Sequence, residues 1–152
     1  MQVGDVVEDF KLPDETGQMR ALSELLANGP VVLFFYPAAM TSGCTRESCH
    51  FRDLKSEFEA VGAQRVGISM DTVDKQKQFS DKHDFDYPLL ADTDGTVAKQ
   101  FGVKRAISLL KTKRSTFVIE TDRRVLGVIS SEVNMNTHAD KALELLRGRA
   151  GN

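Results

Sequence analysis

The sequence predicts an α/β fold, a mixed central sheet flanked by helices, on three observations. Apolar runs of strand length recur along the first two thirds of the chain: "VVLFFY" from Val31, "RVGISM" from Arg65 and "YPLLAD" from Tyr87. Segments of helical periodicity separate them. Near the end, "STFVIE" and "VLGVISS" flank the polar turn "TDRR", and one more amphipathic helix follows. Strands alternating with helices, then a hairpin and a helix, make a three-layer sandwich.

The first segment, "DFKLPDETGQMRALSELL", is an N-terminal extension before this core. "VVLFFY" is continuous rather than alternating, so it reads as a strand buried on both faces. After it, Phe51, Leu54, Phe58 and Val61 recur at helical spacing and predict one continuous apolar stripe. "TVDKQKQFSDKH" is a polar surface helix capped by Asp71 or Thr72. "GTVAKQFG" is a short helix closed by Gly102. The two runs around "TDRR" form a hairpin. In the last helix, capped by Asn136 or Thr137, the residues Ala139, Ala142, Leu143 and Leu146 form the buried stripe, and Gly148 stops it.

The chain has 152 residues, the size of one domain spanning 1–152, with 41% hydrophobic residues and a net charge of -2. That balance favours neither nucleic acid nor an anionic membrane surface. No apolar run reaches the roughly 18 residues of a membrane span, and the N-terminus lacks a signal-peptide pattern. A cytoplasmic location is expected, where a close cysteine pair is more readily catalytic or metal-binding than a structural disulfide.

The only two cysteines, Cys44 and Cys49, fall in "YPAAMTSGCTRESCHF". Cys44 lies two helical turns before Phe51, at the start of the helix that follows "VVLFFY". The first N–H groups of a helix lack internal partners and carry positive potential, which stabilises a thiolate. Cys49 sits deeper in the helix, where this effect is weaker. Five helical residues separate Cα atoms by about 8–9 Å, and a disulfide needs them within about 7 Å. Pairing Cys44 with Cys49 therefore requires the first turns of the helix to unwind. His50 and His83 add no short paired spacing of the kind zinc uses, so no metal is expected and both histidines read as surface residues.

Pro37-x-x-x-Thr41-x-x-Cys44, after a strand ending in Tyr36, resembles the active-site signature of the peroxiredoxins. The second cysteine in "CTRESC" is similar to the Q-type branch, the bacterioferritin comigratory proteins. "GDVVEDFKLPDETG", "YPLLAD" and "RSTFVIE" match further family blocks in order, so the resemblance covers nearly the whole chain. It implies a thioredoxin-like fold and a thiol-dependent peroxidase acting on hydrogen peroxide and organic hydroperoxides. It further implies that Cys44 is the attacking thiolate and that Thr41 and Arg114 contact the thiolate and the peroxide. By the same resemblance, backbone N–H groups of Gly43 and Cys44 complete an anion site, and Pro37 shields the sulfur. Glu47 is placed to orient an arginine. Cys49 resolves the sulfenic acid as an intramolecular disulfide, which a thioredoxin-like reductant reduces. No cofactor is implied, and the Q-type members are mostly monomers, with some dimers. Ser42 departs from the family's usual proline, and "AAM" departs from its more polar variants.

Two other readings stay open at this level. A thioredoxin-like disulfide reductase would want C-x-x-C at the helix start, which this chain lacks; a redox-sensing binding module would use the disulfide as a switch. Within "VKRAISLLKTKR", only Arg114 borders a strand of the family pattern, and "AISLL" reads as a short helix.

Overall fold

The computed structural model describes residues 1–104, 112–131 and 134–150. A two-stranded antiparallel ribbon, β1 (Lys11–Pro13) and β2 (Met19–Ala21), opens the chain and leads into α1 (Leu22–Leu26). The main sheet holds β3 (Val31–Phe35), β4 (Gln64–Ser69), β5 (Leu89–Ala91), β6 (Ser115–Ile119) and β7 (Val125–Ser130) in the order β5-β4-β3-β6-β7. β3, β4 and β5 run parallel; β6 is antiparallel to β3, and β7 to β6. The helices are α2 (Ser42–Asp53), α3 (Lys55–Ala60), α4 (Val73–His83), α5 (Thr96–Gln100) and α6 (Thr137–Ala150).

β3 shows why a continuous apolar run marks a central strand. Val31, Leu33 and Phe35 point into one core with Leu22 and Leu25 of α1 and Val97 and Ala98 of α5. Val32 and Phe34, with Tyr36 just beyond the strand, point into the other core, with Phe51, Phe58, Phe79 and Leu146. Successive residues face opposite sides, so a strand covered on both must be apolar throughout.

Four expectations change in detail. The stripe from Phe51 to Val61 is not one helix: Leu54 leaves helical geometry at φ −94° and ψ 22°, dividing α2 from α3. Phe51 and Phe58 are buried on either side of the break, whereas Leu54 is half-buried. Gly148 does not stop α6, which runs on to Ala150; Gly148 has a negative φ, so its missing side chain costs some helix propensity without ending the helix. The strand predicted from Tyr87 begins at Leu89. His50 and His83 are half-buried rather than surface residues: His50 Nε2 lies 2.8 Å from Asp140 Oδ1, and His83 stacks on Phe85. Thr72 is the cap of α4, its hydroxyl accepting from Lys75 N–H at 3.2 Å. Gly102 at φ +73° follows α5. "AISLL" lies outside the described residues.

The topology brings distant residues together at one end of the sheet. β3 ends at Phe35, and the loop from Tyr36 to Thr41 feeds α2. Antiparallel pairing sets Ser115 beside Phe35, so Arg114, one residue earlier, lies next to the start of α2. Ser130 at the end of β7 pairs with Ser115, so the chain after β7 returns to the same corner before α6 begins.

Candidate active site

Cys44 occupies the first turn of α2 and is fully buried. The first helical hydrogen bond joins Thr45 N–H to Thr41 C=O at 2.9 Å. The N–H groups of Ser42, Gly43 and Cys44 precede it and have no partner within the helix. Arg114 Nη2 donates to Cys44 Sγ at 3.2 Å, and its Nη1 donates to Glu47 Oε1 at 3.1 Å. One guanidinium thus spans the sulfur and a carboxylate a turn further along the helix. Burial works against the Arg114 charge, but Glu47 and Cys44 more than offset it and raise its pKa.

The close approach of arginine to helix depends on Gly43. A Cβ there would sit 3.3 Å from Arg114 Nη2 and 3.3 Å from Met135 Sδ. Glu47, which the signature marks only as able to orient an arginine, is fully buried. It lies three residues after Cys44 and four before Phe51, on the inward face of α2.

The loop before the helix is tied down from beneath. Ala39 N–H donates to Asp71 Oδ2 at 2.7 Å, and Ser69 Oγ donates to the same oxygen at 2.6 Å. Gln76 Nε2 donates to Ser69 Oγ, and Tyr36 OH donates to Gln76 Oε1. Pro37 is buried in this loop. Met40, exposed, adopts φ +66°, a left-handed conformation that costs a non-glycine residue about 1 kcal/mol or more. Thr41 is the N-cap of α2; its hydroxyl donates to Ala38 C=O at 2.9 Å rather than to Cys44.

Cys49 lies on the same unbroken helix and is half-buried, and both cysteines are free thiols. Burial pushes the Cys49 thiol up, with Arg52 opposing and Asp53 reinforcing. Of the residues singled out from sequence, Cys44, Gly43, Glu47 and Arg114 converge on one point, and Pro37 and Thr41 lie in the loop and at the cap that precede it. Cys49 lies five residues along the helix. Sequence reasoning missed His138, Thr116 and Met135. A signal for His138 was present: it stands four before Ala142 and eight before Leu146, on the buried stripe of α6.

Residues 3–128 match the model of the AhpC/TSA family. The chain belongs to this family. It is 43% identical over 146 residues to peroxiredoxin bcp1 of Schizosaccharomyces pombe, covering 96% of this chain and 74% of that one. To the chloroplastic peroxiredoxin Q of Sedum lineare it is 35% identical, over 95% and 77% of the two chains. Among solved structures, it is similar to peroxidoxin BcpB of Mycobacterium tuberculosis, with a TM-score of 0.94, 64% identity and 97% of each chain covered. A cysteine-to-serine variant of Xylella fastidiosa PrxQ superposes with a TM-score of 0.90 at 29% identity, over 99% and 98% of the chains. The protein is a Q-type peroxiredoxin with a thioredoxin-like fold, and a thiol-dependent peroxidase. Among the described residues, no helix of this peroxiredoxin is long and apolar enough to cross a membrane.

Proposed function

We propose that Cys44 is the peroxidatic thiol and Cys49 the resolving thiol of one chain. The Cys44 thiolate attacks one oxygen of the hydroperoxide; the O–O bond breaks, the sulfur becomes a sulfenic acid, and the other oxygen leaves as water or an alcohol once protonated. Arg114 balances the negative charge on the sulfur and then on the leaving oxygen, helped by the N–H groups of Gly43 and Cys44. Thr41 contributes its hydroxyl after turning from Ala38 C=O toward the bound peroxide. Pro37 keeps water from the sulfur, and Glu47 holds Arg114 in register. The Cys49 thiol then condenses with the sulfenic acid, releasing water and forming the disulfide. A thioredoxin-like dithiol returns both cysteines to thiols. Both thiols come from one chain, so a monomer suffices, and a reducing compartment such as the cytoplasm suits them.

The observation that carries this reading is the 3.2 Å contact of Arg114 Nη2 with Cys44 Sγ at the head of α2. Burial raises the Cys49 thiol, which keeps it protonated and out of competition for peroxide near neutral pH. Mass spectrometry after one equivalent of peroxide tests the assignment. A Cys44–Cys49 disulfide in the wild type, and a sulfenic or over-oxidised Cys44 in Cys49→Ser, are the expected products. Peroxide-treated Cys49→Ser with an unmodified Cys44 would refute the order.

A further inference from the structure

Glu47 meets two basic side chains, Arg114 by a hydrogen bond and His138 at ion-pair distance. Oε1 accepts from Arg114, while Oε2 lies 3.5 Å from Nε2 of His138, in the first turn of α6. The His138 ring is fully buried and fixed at both nitrogens. Nδ1 is 2.8 Å from Thr116 Oγ1, and Nε2 is 2.8 Å from Ser131 C=O. A carbonyl oxygen can only accept, so Nε2 carries a proton, and in the neutral ring Nδ1 accepts from the Thr116 hydroxyl. The Nε2–H therefore donates to Ser131 C=O, with the Glu47 carboxylate close beside it at 3.5 Å. Arg114 and Thr116 are two apart around the start of β6 and share the face that Val118 turns toward α2 and α6. The geometry thus runs from His138 through Glu47 and Arg114 to the sulfur of Cys44.

We propose that His138 is a positioning residue for the peroxidatic step and the catch that resists unwinding of α2 before the resolving step. The proposal rests on Cys44 being the attacking thiol. Glu47 lies between the two cysteines, so a segment that unravels to bring Cys44 to Cys49 carries Glu47 away from Arg114 and His138 together. The His138 contact stabilises the helical, peroxide-ready state and opposes the unwound, disulfide-forming one. Removing it has two opposite consequences. The first step slows, because Arg114 is less firmly aimed. The second quickens, because the helix lets go more easily. Less sulfenic acid then survives to meet a second hydroperoxide, which would oxidise it to sulfinic acid and leave water or an alcohol.

Stopped-flow mixing of reduced protein with hydrogen peroxide, followed by mass analysis of Cys44, tests this in four proteins: wild type, His138→Leu, His138→Gln and Thr116→Val. Thermal melts check that each is folded. His138→Leu is expected to slow the first step roughly tenfold, equivalent to about 1.4 kcal/mol, and to lower the sulfinic share at high peroxide. Thr116→Val, which frees one side of the ring, is expected to move both readouts the same way by less. His138→Gln keeps an N–H donor near the Nε2 position and is expected to recover most of the first-step rate, which a packing role alone would not predict. A His138→Leu protein with wild-type rate and sulfinic share would overturn the proposal, as would a folded His138→Gln protein as impaired as His138→Leu. If His138→Leu does not fold, Thr116→Val and His138→Gln decide it by the same criteria. A wild type whose Cys44 ignores peroxide would instead overturn the assignment of the attacking thiol, and the role of His138 with it.

Discussion

The two halves of α2 differ in whether their anchors reach the Cys44 sulfur. From Ser42 to Glu47, beside the packing of Cys44 in the core, the ionic contacts run outward from its sulfur: Arg114 to Cys44, Arg114 to Glu47, and Glu47 to His138. From Ser48 to Asp53, the anchors among the described residues do not touch that sulfur, although His50 reaches Asp140 and Arg65 carries a charge. Tyr87 OH donates to Ser48 C=O at 2.7 Å, Arg65 Nη1 donates to Phe51 C=O at 2.9 Å, and the Phe51 ring stacks on Phe34 with centroids 4.1 Å apart. If Cys44 attacks as proposed, its oxidation would remove the negative charge that Arg114 balances, weakening the first half and leaving the second held. Cys49 sits just past the boundary. On the proposed mechanism, one helix would then carry a thiol that moves and a thiol that stays, because only the first is anchored through the reacting sulfur.

Substitutions in each half break or sharpen this contrast. Cys44→Ser is expected to abolish peroxide consumption with little change in melting temperature; substantial turnover in a coupled assay would remove the first half from the chemistry. Arg114→Met is expected to lower the rate of the first step by roughly 10²–10³, as for loss of a preorganised donor to a developing anion, and a drop of only two- or threefold would contradict the role given to it. In the second half, Arg65→Met leaves Asp86 and Phe51 C=O without their arginine. It is expected to destabilise the fold by about 3 kcal/mol in urea unfolding, with the rate per folded molecule unchanged. The smallest effect is expected from Tyr87→Phe, which removes one hydrogen bond and costs about 1 kcal/mol. An accompanying rise in the rate of disulfide formation would extend the mobile segment past Ser48.

Much of this arrangement was legible in the sequence, and the reasons for the rest are physical. The continuous run of β3 announced a strand buried on both faces, and the signature around Cys44 named two residues, Cys44 and Arg114, that the fold brings into contact. Glu47 was harder, because a carboxylate in a helix is usually solvated; its burial depends on Arg114, 67 residues away in the chain. His138 was harder still. Its helical spacing placed it on the buried face of α6, but its ring is held by Thr116 and Ser131, which only strand pairing brings to it. The break at Leu54 was not legible, because the apolar spacing from Phe51 to Phe58 continues across it while the backbone does not.

Amide hydrogen exchange on the reduced and disulfide forms reads the opening of α2 segment by segment, and so shows which half unwinds. Residues 42–48 are expected to lose protection in the disulfide form while residues 50–58 keep theirs. Protection retained in the first segment, or lost equally through both, would contradict that expectation.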